Sequence, residues 1–92
     1  MWSKPATIAQ LNYLQNLYEK SIGYCKSLWY LDQLKKKNIS KAQATKEIDR
    51  LRRIRSAHGA TAMYPLNWEK IKPDDSTVSK FMDSYGKNVQ LI

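Results

Sequence analysis

Ninety-two residues suit one domain with nothing to spare for a second. The 42% hydrophobic and 11% aromatic content excludes a disordered tail, and no run approaches the roughly 18 apolar residues of a membrane span. The net charge of +8 lies entirely in residues 1–58, with 12 Lys and Arg against 4 Asp and Glu; residues 59–92 hold 4 of each. The reading is one domain over 1–92, with a basic helical part at 7–58 and a neutral C-terminal segment at 59–92.

Thr7-Ile8-Ala9-Gln10 has the form of a capping box, and behind it Ile8, Leu11, Leu14, Leu17, Tyr18 and Ile22 recur at three and four residues. That spacing predicts a helix over about 8–21, stopped by Gly23. The next stretch carries Leu28, Leu31 and Leu34 beside Trp29 and Tyr30, which predicts a second helix within 24–37. Its three closing lysines suit the negative end of the helix dipole.

Ser40-Lys41-Ala42-Gln43 repeats the capping signature, with Ile39 and Ala44 placed to form a weak hydrophobic staple. Ala44, Ile48, Leu51 and Ile54 mark one face of a third helix over about 41–57, and Gly59 stands where a left-handed cap belongs. Residues 59–73 show no helical period and read as an extended connection, with a short strand at 67–72. Asp74, Asp75 and Ser76 are each acceptable caps for a last helix over about 75–85. It would bury Val78, Phe81, Met82 and Tyr85 and stop at Gly86, leaving an apolar tail free to dock on the body or a second copy. The fold expected is all-α, a bundle of three to four short helices.

Two motifs carry a family resemblance. Residues 7–17 fit T-x-x-Q-x-x-Y-[LI]-x-x-L, and residues 40–51 fit [ST]-K-x-[EQ]-A-[ST]-x-x-I-[DE]-x-L. Together they resemble a small bacterial and phage domain of unknown function, often appended to recombination and DNA-processing proteins. Its paired helices resemble the SAP-type helix–extended–helix DNA-binding motif. The resemblance implies a small helical DNA-binding accessory protein of a phage or mobile element. This chain departs from the pattern in the added amphipathic piece at 24–37 and in nearly forty residues beyond the second motif.

The chemistry of catalysis is not assembled by these residues. His58 is the single histidine and Cys25 the single cysteine, and neither has a second ligand at metal spacing. Cys25 reads as a small buried hydrophobe, cannot form an internal disulfide and suits a reducing compartment. His58 reads as exposed near a helix end. The three scattered glycines make no phosphate-cradling loop, and Asp74-Asp75 is explained by capping. The opening ten residues lack a secretory pattern. The expectation is a cytoplasmic protein with no catalytic residues, no cofactor, no metal and no membrane partner.

What remains is the cationic row. Lys46, Arg50 and Arg53 are spaced to share the face of the third helix opposite Leu51, with Arg52 and Arg55 beside the apolar stripe. Glu47 and Asp49 lie within reach of Arg50 and Arg53 and can hold part of that charge locally. One reading is the solvated, dipole-compensating end of an ordinary helix. The other joins Lys46, Arg50, Arg52 and Arg53 to Lys35, Lys36, Lys37 and Lys41 in one patch that meets DNA phosphates with little sequence choice. Trp2, Trp29, Tyr30 and Trp68 could stack on single-stranded bases, although burial suits the last three better. The alternative partner is a host protein, bound by a phage-type inhibitor or adaptor through the basic and aromatic surface, with a homodimer as a further form.

Overall fold

Two reciprocal caps fix where the first and third helices begin. The computed structural model describes the backbone of residues 4–90 and the side chains of residues 4–85. In it α1 runs Ile8–Ile22: the Gln10 N–H donates to the Thr7 hydroxyl (3.0 Å) and the Thr7 N–H to the Gln10 side-chain oxygen (3.1 Å). The Ser40 cap reproduces this geometry with Gln43, at 3.1 and 2.8 Å. Each box satisfies two N–H groups that a helix start would otherwise leave unpaired.

Between these helices lies α2, Tyr24–Lys36, and a single residue separates it from α1. That residue, Gly23, has φ 86° and ψ 168°. The sign of φ is that of the expected left-handed cap, but the extended ψ puts it in a region open essentially to glycine alone. Gly59 (φ 94°, ψ 169°) ends the third helix, α3 (Lys41–His58), in the same way.

The connection after Gly59 departs from expectation. It contains a 3₁₀ turn at Ala60–Ala62 and a helical turn, α4, at Trp68–Ile71 where a strand was expected. The reason is periodic: Trp68 and Ile71 are three apart, a helical and not an alternating spacing, and Asn67 in the left-handed region (φ 58°) starts the turn. The last helix, α5, runs Asp75–Gln90, so Gly86 does not end it. Asp74 supplies the cap, its carboxylate accepting the Thr77 N–H at 2.8 Å. No strand occurs among the described residues. Trp2 and the end of the apolar tail lie outside them.

The core forms where α1 meets its neighbours. Leu11, Leu14, Leu17 and Tyr18 of α1 are buried against Tyr30, Leu31 and Leu34 of α2, Ala44 and Leu51 of α3, and Met63 and Trp68 of the connection. Edge-on rings join them: Tyr18–Tyr30 centroids are 5.1 Å apart and Tyr30–Trp68 6.1 Å. A buried Gln15–Ser27 hydrogen bond (2.8 Å) ties α1 to α2. Ile8, expected on the buried stripe, is 76% exposed; at the first helical position its side chain points back off the helix start.

The extended residues 4–6 pair antiparallel with 39–41. Ala6 N–H donates to the Ile39 carbonyl (2.9 Å), and Lys41 N–H donates to the Lys4 carbonyl (2.8 Å). α5 leans on α2 and keeps Val78, Phe81 and Met82 half-buried, while Tyr85, expected to be buried with them, is exposed. No helix among the described residues is long and apolar enough to cross a membrane.

Candidate functional site

The cationic row divides according to what α1 offers α3. Tyr18 lies in the core and donates its hydroxyl to Glu47. Glu47 in turn grips Arg50 through two parallel bonds, Nε to Oε1 at 2.6 Å and Nη2 to Oε2 at 2.8 Å. The Arg50 Nη2 also donates to the Tyr64 carbonyl at 2.9 Å. Fork-to-fork pairing of this kind is strong and directional. Arg50 is therefore partly buried and ion-paired, and the expectation that it stands as a free cation on the open face with Lys46 and Arg53 is corrected. Glu47, itself held by the Tyr18 hydroxyl of α1, and the Tyr64 carbonyl of the connection hold it there.

The electrostatics agree with the geometry. Burial, and then the Glu47 carboxylate, hold the Tyr18 phenol well above its ordinary ionisation range. Burial and then Glu47 push the Tyr30 phenol upward as well. The hydrogen bonds to Glu47 keep the Arg50 guanidinium charged beyond its usual range. This cluster is a structural clasp between α1, α3 and the connection.

The other seven nominated cations, Lys35, Lys36, Lys37, Lys41, Lys46, Arg52 and Arg53, are all exposed. Of these only Lys36 is ion-paired among the described residues, to Asp32 at 3.1 Å. They line different depressions of the surface, and Lys37 stands exposed in the turn between α2 and α3. Lys41 and Lys46 line a cleft of about 580 Å³ at the start of α3. Arg52 and Arg53 line a second cleft of about 460 Å³ with Ser56 and Ala57 at its end. Lys35 and Lys36 border a groove of about 930 Å³ between α2 and α5. On a helical wheel Asp49, exposed and outside any ion pair among the described residues, stands on the outward face between the two α3 groups.

At the start of α3 the structure adds a cation that sequence reasoning missed. Lys4 joins Lys41 and Lys46 in the first cleft because residues 4–6 pair with 39–41. The signal available was Pro5, which biases the residue before it toward extended backbone. No acid lines that cleft.

The remaining candidates resolve simply. Cys25, expected to be buried, is exposed at the start of α2. His58 is exposed in the last turn of α3. Glu69 pairs with Lys72 at 3.0 Å. The Asp74 carboxyl is held below the usual carboxylate range by its hydrogen bonds to Thr77. No three His, Cys, Asp or Glu side chains among the described residues gather where they could hold a metal. Trp68 and Tyr30 are buried and Trp29 half-buried. Comparison with family models, curated proteins and solved structures gave no match in any of the three.

Proposed function

We propose that this protein is a non-catalytic DNA-binding accessory protein that holds phosphate backbone through the exposed cations of α3 and of the end of α2. One observation supports the reading above others: seven of the eight cations nominated from sequence are exposed, and six of those seven have no acidic partner among the described residues. Unpaired lysine and arginine heads neutralise phosphates by releasing condensed counterions, so affinity falls steeply with salt. Contacts of this type position a protein on the backbone and carry no base sequence.

A salt series on DNA of unrelated sequences tests this. The expected log-log slope is about −0.9 per phosphate neutralised on duplex DNA, and joint replacement of Lys41, Lys46, Arg52 and Arg53 with Ala weakens binding to every sequence alike. Affinity that does not change between low and high salt, or that survives the four substitutions, refutes it.

A second reading, a protein-binding adaptor or inhibitor, is favoured by the apolar side chains exposed in the connection, Tyr64 at 44% and Leu66 at 58%. Capture of a defined partner that persists after nuclease treatment and is lost in Leu66→Asp would favour it over DNA binding.

A further inference from the structure

A groove lies between α2 and α5, and its walls are of two kinds. One kind is aromatic. Tyr24 is 54% exposed at the start of α2, and on the facing helix Phe81 and Tyr85 are stacked, with centroids 5.9 Å apart and planes 30° from parallel. Trp29, deeper in α2, is held by the edge of Trp68 at 6.4 Å, so its ring is fixed before anything binds. The other kind is cationic: Lys35 and Lys36 at the end of α2 and Lys80 on α5. The one acid lining the groove, Asp32, is occupied by Lys36.

From this juxtaposition we infer that the groove takes a single strand of nucleic acid, with bases stacked on Tyr24, Phe81 and Tyr85 and phosphates on Lys35 and Lys80. The inference rests on the proposed DNA-binding function and narrows its substrate. Aromatic platforms beside a basic track are the arrangement that binds single strands, because every base presents a π-face and every nucleotide a phosphate. A duplex keeps its bases stacked inside and cannot offer them to such a groove. The lining carries a net charge of +2 from three lysines and one aspartate, which matches a polyanion better than an apolar peptide.

The test uses the full chain and two labelled probes, oligo(dT) and a duplex hairpin of equal charge, read by fluorescence anisotropy at fixed salt. Tyr24 and Tyr85 are both exposed, so Tyr24→Ala and Tyr85→Ala are expected to retain the fold, which circular dichroism checks. Each is expected to weaken oligo(dT) binding about 5- to 100-fold, the loss of one stacked base, and to leave duplex affinity unchanged. Tyr24→Phe, which keeps the ring, should bind like the parent. Joint Arg52→Ala and Arg53→Ala should weaken both probes. Equal affinity of the parent protein for both probes would overturn the groove assignment. So would unchanged oligo(dT) affinity in the Tyr24→Ala, Tyr85→Ala double variant while duplex binding stays salt-dependent. Absence of binding to either probe would overturn the DNA-binding reading itself.

Discussion

Removing the Glu47 carboxylate separates the structural arginine from those proposed to bind. In Glu47→Ala the buried Tyr18 hydroxyl loses its acceptor, which costs about 1–3 kcal/mol for an orphaned polar group. Arg50 loses two charge-assisted bonds but keeps the Tyr64 carbonyl, and with 28% of its side chain exposed it can reach water. The 3–5 kcal/mol typical of stranding a fully buried charge therefore shrinks to about 1 kcal/mol. The total is about 2–4 kcal/mol, which lowers Tm by roughly 10–25 °C in a domain of this size.

Tyr18→Phe removes only the donor and leaves Glu47 with both Arg50 bonds, costing about 1 kcal/mol. The two changes share one hydrogen bond, so the double variant should be no less stable than Glu47→Ala alone. Urea unfolding followed by far-UV circular dichroism reads all three. Arg50→Ala should likewise lower stability yet weaken DNA binding less than Arg53→Ala does. The reasoning fails if the two single costs add to within about 0.3–0.5 kcal/mol, the behaviour of independent sites. It fails equally if Arg50→Ala and Arg53→Ala weaken binding by the same factor.

Alkaline titration should destabilise the fold. The Tyr18 and Tyr30 phenols ionise at higher pH folded than unfolded, so above about pH 10 the unfolded chain binds fewer protons and stability falls as pH rises. The limiting slope is about 1.4 kcal/mol per pH unit for each phenol; Tyr18→Phe should remove its share, and a parallel decline in that variant would contradict the assignment. Gly23→Ala should cost about 1–3 kcal/mol through backbone strain alone, since an added Cβ meets nothing within 4 Å at φ 86°. Thermal melts that show Gly23→Ala to be neutral would mean that the α1–α2 turn relaxes freely.

What was legible in the sequence is what is decided within a few residues. Thr7 with Gln10 and Ser40 with Gln43 fix two helix starts because each cap reaches only three residues along the chain. Gly23 and Gly59 mark two helix ends for the same local reason, and the all-α class follows. Two of the misreadings have a clear physical origin. At 67–72 the charged residues Glu69, Lys70 and Lys72 hid the three-residue spacing of Trp68 and Ile71, so a helical turn read as a strand. At Arg50 two contacts come only from packing: the Tyr64 carbonyl that accepts from it, and the Tyr18 hydroxyl that holds its partner Glu47. The Glu47 contact was legible as a neighbour on the same helix; its being clamped by a core tyrosine was not.

The separation of the cations bears directly on what they can hold. A single uninterrupted row on one helix face would suit a rigid duplex lying along it. Instead Asp49 breaks the row, Arg50 is ion-paired, and Lys4, Lys41 and Lys46 gather at one end of α3 while Arg52 and Arg53 sit at the other. Of the remaining three, Lys35 and Lys36 border the aromatic groove and Lys37 stands in the turn that leads to Lys41. The single strand proposed above can bend at successive phosphates and so meet cations that do not lie in one straight row. A duplex, stiff over far longer distances, cannot follow such a course without a deformation cost that the few contacts on each face must offset. The placement of the cations and the chemistry of the groove, which share Lys35 and Lys36, both fit the single strand proposed above.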